Sequence, residues 1–277
     1  MLLTLSRVSL SYTKFNTVLD QIDLQIRKNE FIGITGKAGC GKTTLLETIG
    51  GLHKPDSGQV LFQDRDIYSP GFDKISFRRR LQVMFQFPEN QFFETDVWSE
   101  TAFGPKMLKL SPAEAEEQVR AALAMTGLAD SSFRNKSPFI LSGGQKRRLA
   151  LACALAVRPE ILLLDEPFSG LDAEGREQFT DTLKNLHTDG MTILMVSHDP
   201  DILCELSDRI IVLSEGKIVM DSTPGGVYTD AEKCAAYGIG QPSAKQAADL
   251  SGINLAGDYS YTNFLNSVKR RLKGTAA

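Results

Sequence analysis

The chain has 277 residues, 42% hydrophobic and 23% charged, with a formal net charge of -3. Such a length can bury a full core as one large domain or two small ones, and the charge balance argues against a globally basic nucleic-acid binder. Cys40, Cys153, Cys204 and Cys234 include no C-x-x-C pair. A zinc site or a disulfide framework is therefore not expected, and a reducing cytosol fits. The first residues, MLLTLSRVSLSY, lack a basic start and an apolar h-region, so no signal peptide is expected. No stretch approaches the ~18 consecutive apolar residues of a membrane span.

The elements follow in chain order. Leu3 and Leu5, then Val8, Leu10 and Tyr12, read as a strand, with a turn near Lys14–Asn16. Ile22, Leu24 and Ile26 alternate with polar residues as a second half-buried strand. Phe31–Thr35 is a short β-rich run leading into a glycine-rich loop. A helix is expected from Lys42 to about Ile49, stopped by Gly50-Gly51, and a strand over Gln59–Phe62. Leu81–Gln86 reads as a strand. Ser111-Pro112-Ala113-Glu114 reads as a capped helix start running to Met125 and ending at Gly127. Ser142 caps another helix through Ala156. Residues from about 90 to 158 thus form a mainly helical insertion between β-rich parts. Ile161–Leu164 and Thr192–Val196 are apolar runs suited to central parallel strands. Glu174–His187 and Asp201–Ser207 read as helices, and Ile210–Leu213 with Lys217–Met220 as a hairpin. Strands alternating with helices argue for a parallel α/β core. The last stretch is less regular.

Gly36-Lys37-Ala38-Gly39-Cys40-Gly41-Lys42-Thr43, followed by Thr44, fits G-x-x-x-x-G-K-[ST]. Glycines let the backbone close around phosphate oxygens, and the following helix points its positive end at them. Lys42 is expected to neutralise β and γ phosphates and Thr43 to ligate Mg²⁺. Cys40 sits beside that helix start and near Lys42. Both lower a thiol pKa, so alkylation there is expected to block ATP binding. Ile161–Leu164 delivers Asp165 and Glu166 to a strand's carboxyl end, where α/β ligand sites lie. Asp165 is the expected Mg²⁺ ligand and Glu166 the general base on water. Leu141-Ser142-Gly143-Gly144-Gln145 is a second anion-binding helix start. One ATP does not need two in one subunit, so this one is expected to serve the γ phosphate of an ATP held by another subunit.

Over roughly residues 1–220 these motifs resemble the ATP-binding cassette (ABC) family. That resemblance implies an ABC-type P-loop NTPase core (RecA-like, α/β) with an antiparallel β subdomain and a helical subdomain. It makes residues 1–220 the ATPase domain and 221–277 a C-terminal extension. Gly36–Thr43 looks like Walker A, Leu141–Gln145 like the signature motif and Ile161–Glu166 like Walker B. Gln86 resembles the Q-loop glutamine, a metal and water contact. Ser169–Asp172 resembles the D-loop, with Asp172 at the dimer interface. His198 resembles the switch histidine on the γ phosphate. Tyr12 resembles the aromatic that stacks on adenine, with Val18 as its apolar neighbour.

The run Phe85–Phe93, then Ala102-Phe103-Gly104-Pro105, with LSGGQKRR and LDEPFSGLD, is similar to the ATPases of energy-coupling factor (ECF) transporters. So is the tail, with Asp221–Pro224, Tyr228, Gly238–Pro242 and a helical end. The resemblance implies a peripheral protein on the cytoplasmic face of the cell membrane. Its partners would be a second ATPase, identical or related, a membrane coupling protein and a membrane protein that captures a vitamin or transition-metal ion. Nucleic acid is not an expected partner. Another ABC importer's ATPase, or a soluble cassette ATPase, is the alternative. A P-loop kinase would leave Leu141–Gln145 and His198 unexplained. Phe87-Pro88 and Phe92-Phe93 read either as a groove for a coupling helix or as core of the helical lobe. The basic run Lys269–Lys273 reads as a solvated helix end or a lipid contact. Phe168 stands where Thr is frequent in the family, without an account from the sequence.

Overall fold

A computed structural model describes residues 1–13 and 16–274. Lys14 and Phe15 of the expected turn, and the side chain of Lys273, lie outside the described residues. The chain divides into two compact units. The first comprises Met1–Ile26, Glu30–Asp64 and Met195–Ala277, and the second Arg27–Asn29 and Arg65–Leu194.

The chain opens with β1 (Leu3–Thr13) and β2 (Asn16–Ile26), an antiparallel pair. Bulges near Arg7 and Gln21, both at positive φ, offset its register. Then come β3 (Phe31–Thr35), buried throughout, α1 (Lys42–Ile49) and β4 (Ser57–Phe62), which pairs antiparallel with β1. Helix α1 has the bounds that the periodicity predicts.

The second unit carries β5 (Arg65–Asp66), α2 (Lys74–Arg80), β6 (Leu81–Met84) and a 3₁₀ turn over Pro88–Gln91. Next are α3 (Val97–Met107), α4 (Pro112–Met125), α5 (Ser131–Arg134) and α6 (Gly143–Leu155). Then follow β7 (Ile161–Asp165), α7 (Ala173–Thr188) and β8 (Thr192–Val196), whose end returns to the first unit. Strands β6 and β7 are parallel, registered Leu81 to Ile161 through Met84 to Leu164. Helices α3, α4 and α6 pack on one another, and α6 on β6. Helix α4 begins in a capping box: Ser111 accepts from the Glu114 N–H while Glu114 accepts from the Ser111 N–H. It stops at Thr126, and Gly127 follows at a φ of 68°.

The chain then builds α8 (Pro200–Leu206), β9 (Arg209–Ser214) and β10 (Lys217–Ser222) in the first unit. Strand β9 pairs parallel to β3 and antiparallel to β10. The Ser197 N–H donates to the Ile34 carbonyl, which sets the end of β8 beside β3. Four helices close the chain: α9 (Pro224–Tyr228), α10 (Ala231–Ala236), α11 (Ser243–Ser251) and α12 (Tyr261–Gly274). Helix α9 covers β9 and β10, while α11 and α12 pack on each other and on α8.

Three expectations are corrected. The strand read over Leu81–Gln86 ends at Met84, so Gln86 lies two residues past it, exposed in a bend. Helices α2 and α3 have no counterpart among the elements read from the sequence. The end, read only as less regular before a helical close, is four helices, the last of 14 residues. Among the described residues, no helix is long and apolar enough to cross a membrane.

Candidate functional site

The phosphate loop belongs to the first unit, set between β3 and α1. Its backbone is possible only with glycine at two points. Gly36 has a φ of 144°, and a Cβ there would run into the Leu213 carbonyl oxygen. Gly41, at a φ of 106°, would press a Cβ on the Val18 carbonyl oxygen at 2.8 Å. Gly41 is also the N-cap of α1, and no side chain occupies that cap. The first amides of α1 are thus left for an incoming anion. Lys42 is only 6% exposed. Its Nζ donates to the carbonyls of Gly36 and Lys37, each at 2.9 Å. The loop's own carbonyls thus hold the ammonium inside the turn. Lys37, Ala38, Gly39 and Thr43 are exposed.

Cys40 departs from expectation. Its Sγ is 3.9 Å from Lys42 Nζ, yet burial pushes the thiol pKa above its ordinary value. Desolvation outweighs the opposing pull of the Lys42 charge and the loop amides. Cys40 is a buried loop residue, not an activated nucleophile.

Tyr12 stands at the end of β1, 54% exposed. Its hydroxyl lies 3.0 Å from Thr44 Oγ1, and its ring meets His53 edge-on at 5.7 Å. Thr44, read as a binding residue, is buried and ties the aromatic to α1. Val18 is half-buried, and its carbonyl oxygen faces Gly41 and Gly216. His198 is exposed directly after β8, between the buried Ser197 and the α8 cap Asp199.

The second unit carries the other motifs. All five residues of β7 are buried, Asp165 at 5% exposure. Glu166 follows with a φ of 47°, left-handed for a residue with a side chain. Arg147, buried on α6, points Nη1 at the Glu166 carbonyl oxygen 3.5 Å away. Burial lowers the Arg147 pKa, partly opposed by the charges of Glu89 and Glu166. Sequence analysis gave Arg147 no role beyond its place in LSGGQKRR, and no local signal marks its reach to residue 166. Phe168, left without account, packs edge-on against Phe179 at 5.4 Å, with the Arg176 guanidinium over its ring. It is a core residue that anchors the turn after β7. Asp172 caps α7, accepting from the Gly175 N–H at 2.8 Å.

Ser142 and Gln145 form a second capping box. Ser142 Oγ accepts from the Gln145 N–H, and Gln145 Oε1 accepts from the Ser142 N–H at 3.0 Å. Gly143 and Gly144 occupy the first turn, and a Cβ at Gly143 would meet nothing within 4 Å. The positive end of α6 is thus open. Of the residues after β6, Pro88 and Phe92 are buried, as the core reading has it, and Phe87 and Phe93 are exposed. Phe93 and Phe103 stack edge-on at 4.7 Å.

A phosphate loop between a buried strand and a helix, a buried strand ending in Asp-Glu, and an open capped Ser-Gly-Gly-Gln helix start define a P-loop ATPase of the cassette class. The family model described as ABC transporter matches residues 19–169. The EcfA2 energy-coupling factor transporter ATP-binding protein of Clostridium tetani is 39% identical over 86% of this chain and 83% of its own length. The solved structure of cbiO1 from Clostridium perfringens, part of the ABC transporter complex cbiONQ, aligns with a TM-score of 0.76 at 31% identity. It covers 91% of this chain and 99% of its own. A dimeric ATP-binding cassette bound to ADP and Pi in a post-hydrolysis state aligns with a TM-score of 0.70 at 29% identity, over 80% of this chain and 98% of its own. The chain belongs to the ABC transporter family, in its energy-coupling factor ATPase branch. It is an ATP-binding, ATP-hydrolysing subunit of such a transporter.

Proposed function

We propose that the chain is one of two paired ATPases on the cytoplasmic face of an importer for a vitamin or a transition-metal ion. The observation that carries this reading is the open, capped start of α6, a second anion site in a chain that already has a phosphate loop. In this reading Gly36–Thr44 holds the phosphates of one ATP, and Ser142–Gln145 completes the site of an ATP held by the second ATPase. Asp172 lies along the line where the two meet. Lys42 leaves the Gly36 and Lys37 carbonyls for phosphate oxygens, which stabilise its charge better than neutral carbonyls do.

Tyr12 stacks on the adenine beside Val18. The Thr43 hydroxyl, the buried Asp165 carboxylate and the Gln86 amide are hard oxygen donors, the type that suits Mg²⁺. Among the described residues no cluster of three or more His, Cys, Asp or Glu could hold a metal. An ion of this kind is bound by one or two carboxylates together with nucleotide phosphates. When bound, Mg²⁺ neutralises phosphate charge. Glu166 takes a proton from the attacking water as general base, and His198 donates to the γ phosphate. Residues 1–220 form the ATPase domain, with about 90–158 as its helical insertion, and 221–277 the extension. The exposed Phe87, Phe93 and Phe103 receive a helix of the membrane coupling protein, and a third membrane protein brings the cargo.

Glu166→Gln tests the pairing. The variant is expected to elute as an ATP-loaded dimer by size exclusion with light scattering and to hydrolyse at least ~10²-fold more slowly. Hydrolysis at the unaltered rate would remove Glu166 from the mechanism.

A further inference from the structure

The segment after β10 is bound into the first unit by contacts that reach two of the nucleotide motifs. Val227, Tyr228, Cys234 and Ile239 are buried, which makes the turn after α10 a fixed feature. Gly238 closes that turn at a φ of 63°. The Lys37 stem lies against it: a Cβ at position 238 would stand 2.5 Å from Lys37 Cγ and 2.6 Å from Cε. Lys37 in turn supplies one of the two carbonyls that hold the Lys42 ammonium.

The same segment grips the chain behind His198. Ser243 donates to the Asp201 carboxylate from its N–H at 2.6 Å and its Oγ at 2.7 Å. Asp201 is in the first turn of α8, whose cap Asp199 follows His198. Gly240 faces Pro200, its Cβ position 3.6 Å from Pro200 Cγ. Thr262 donates to Glu205 further along α8 at 3.1 Å.

We infer that Gly238 is a positioning residue for ATP binding: its turn supports the Lys37 stem and so holds the phosphate loop in its receptive shape. The lever is specific, because the missing Cβ is what lets the stem lie where it does. An added Cβ takes away the seat of the Lys37 stem, and the loop that carries it becomes less preorganised, at the expense of affinity. The inference rests on the reading of Gly36–Thr43 as the nucleotide site.

The test is a fluorescence titration of the full-length chain with methylanthraniloyl-ATP and Mg²⁺, run beside thermal melts. Gly238→Ala is expected to weaken binding about fivefold when Lys37 is present and less than about twofold in a Lys37→Ala background. A melting-temperature loss common to both backgrounds reports the φ strain alone. Gly238→Asn brings the same Cβ with a side chain that tolerates positive φ, should the alanine variant misfold. Unchanged affinity in Gly238→Ala, or equal weakening in both backgrounds, would overturn the inference. Failure of the unaltered chain to bind the analogue would overturn the nucleotide reading and the inference with it.

Discussion

Glu166 combines a proposed catalytic carboxylate with a left-handed backbone, and the two can be separated by a pair of substitutions. Its φ is 47°, and Pro167 follows it. A residue with a Cβ pays about 1–2 kcal/mol for that conformation, and glycine does not. Glycine pays about 0.5–1 kcal/mol more chain entropy on folding than alanine. At the midpoints of these ranges Glu166→Gly is more stable than Glu166→Ala by about 0.7 kcal/mol. Both variants lose everything beyond Cβ, so lost side-chain packing cancels between them. For a chain of 277 residues, about 2.1 cal/mol/K of unfolding entropy per residue turns that gain into about 1–2 °C of melting temperature. Scanning calorimetry and urea titration measure it. Glu177, exposed in α7, is the internal control. There the order should invert, with Ala ahead of Gly by about 1 kcal/mol. Both residue 166 variants should lose hydrolysis. A Glu166→Ala protein that melts at or above Glu166→Gly would refute the argument that strain is held at this position.

Three further outcomes follow from the geometry. Tyr12→Ala should weaken ATP binding about tenfold, as loss of one base–aromatic stack does. Tyr12→Phe loses only the hydroxyl contact with Thr44 Oγ1 and should stay within about twofold; equal losses in titration calorimetry would refute the stacking role. Because burial raises the Cys40 pKa, the thiol stays protonated at neutral pH. Maleimide labelling of Cys40, followed by mass spectrometry, should be slower than that of an unstructured cysteine peptide and accelerate as pH rises past 9; faster labelling at pH 7 would contradict the burial argument. Ser142→Ala should cost about 1 kcal/mol in a thermal or urea melt through loss of the α6 cap. Ser142→Asp should keep the cap and the melt yet abolish hydrolysis in the paired ATPase, since its charge faces the phosphate; normal turnover would exclude that placement.

What could be read in advance depended on how local the cause was. The run from Phe31 to Ile49 was legible because strand, glycine spacing and helix each leave a short-range pattern. The Ser111 and Ser142 helix starts were legible for the same reason, since a capping box spans four residues. Helix α2 was not, because Phe77 is its one buried residue and no apolar stripe exists to find. Its order comes from Asp73, which accepts from the N–H groups of Ile75 and Ser76, and from three arginines in the last turn. Helix α3 was hidden by Pro105, normally a sign that a helix has ended. Cys40 shows the same limit in electrostatics. The neighbouring Lys42 is visible in the sequence, but the burial that outweighs it is a property of the packed loop.

The C-terminal extension takes this furthest. Its first two helices span five and six residues and start at separate caps, Thr223 and Asp230, so no apolar period builds up along them. What fixes it in place is a set of contacts between distant residues: Ser243 with Asp201, Thr262 with Glu205, and Gly238 with Lys37. Each pairs a residue that looks like ordinary surface with another that does too. Yet all three of these contacts end at the phosphate loop or at the helix that follows His198. A segment that the motifs leave unexplained thus adjoins the motifs proposed to bind ATP. The affinity of the phosphate loop depends, on this argument, on a glycine about 200 residues away in the chain, as much as on the loop's own glycines.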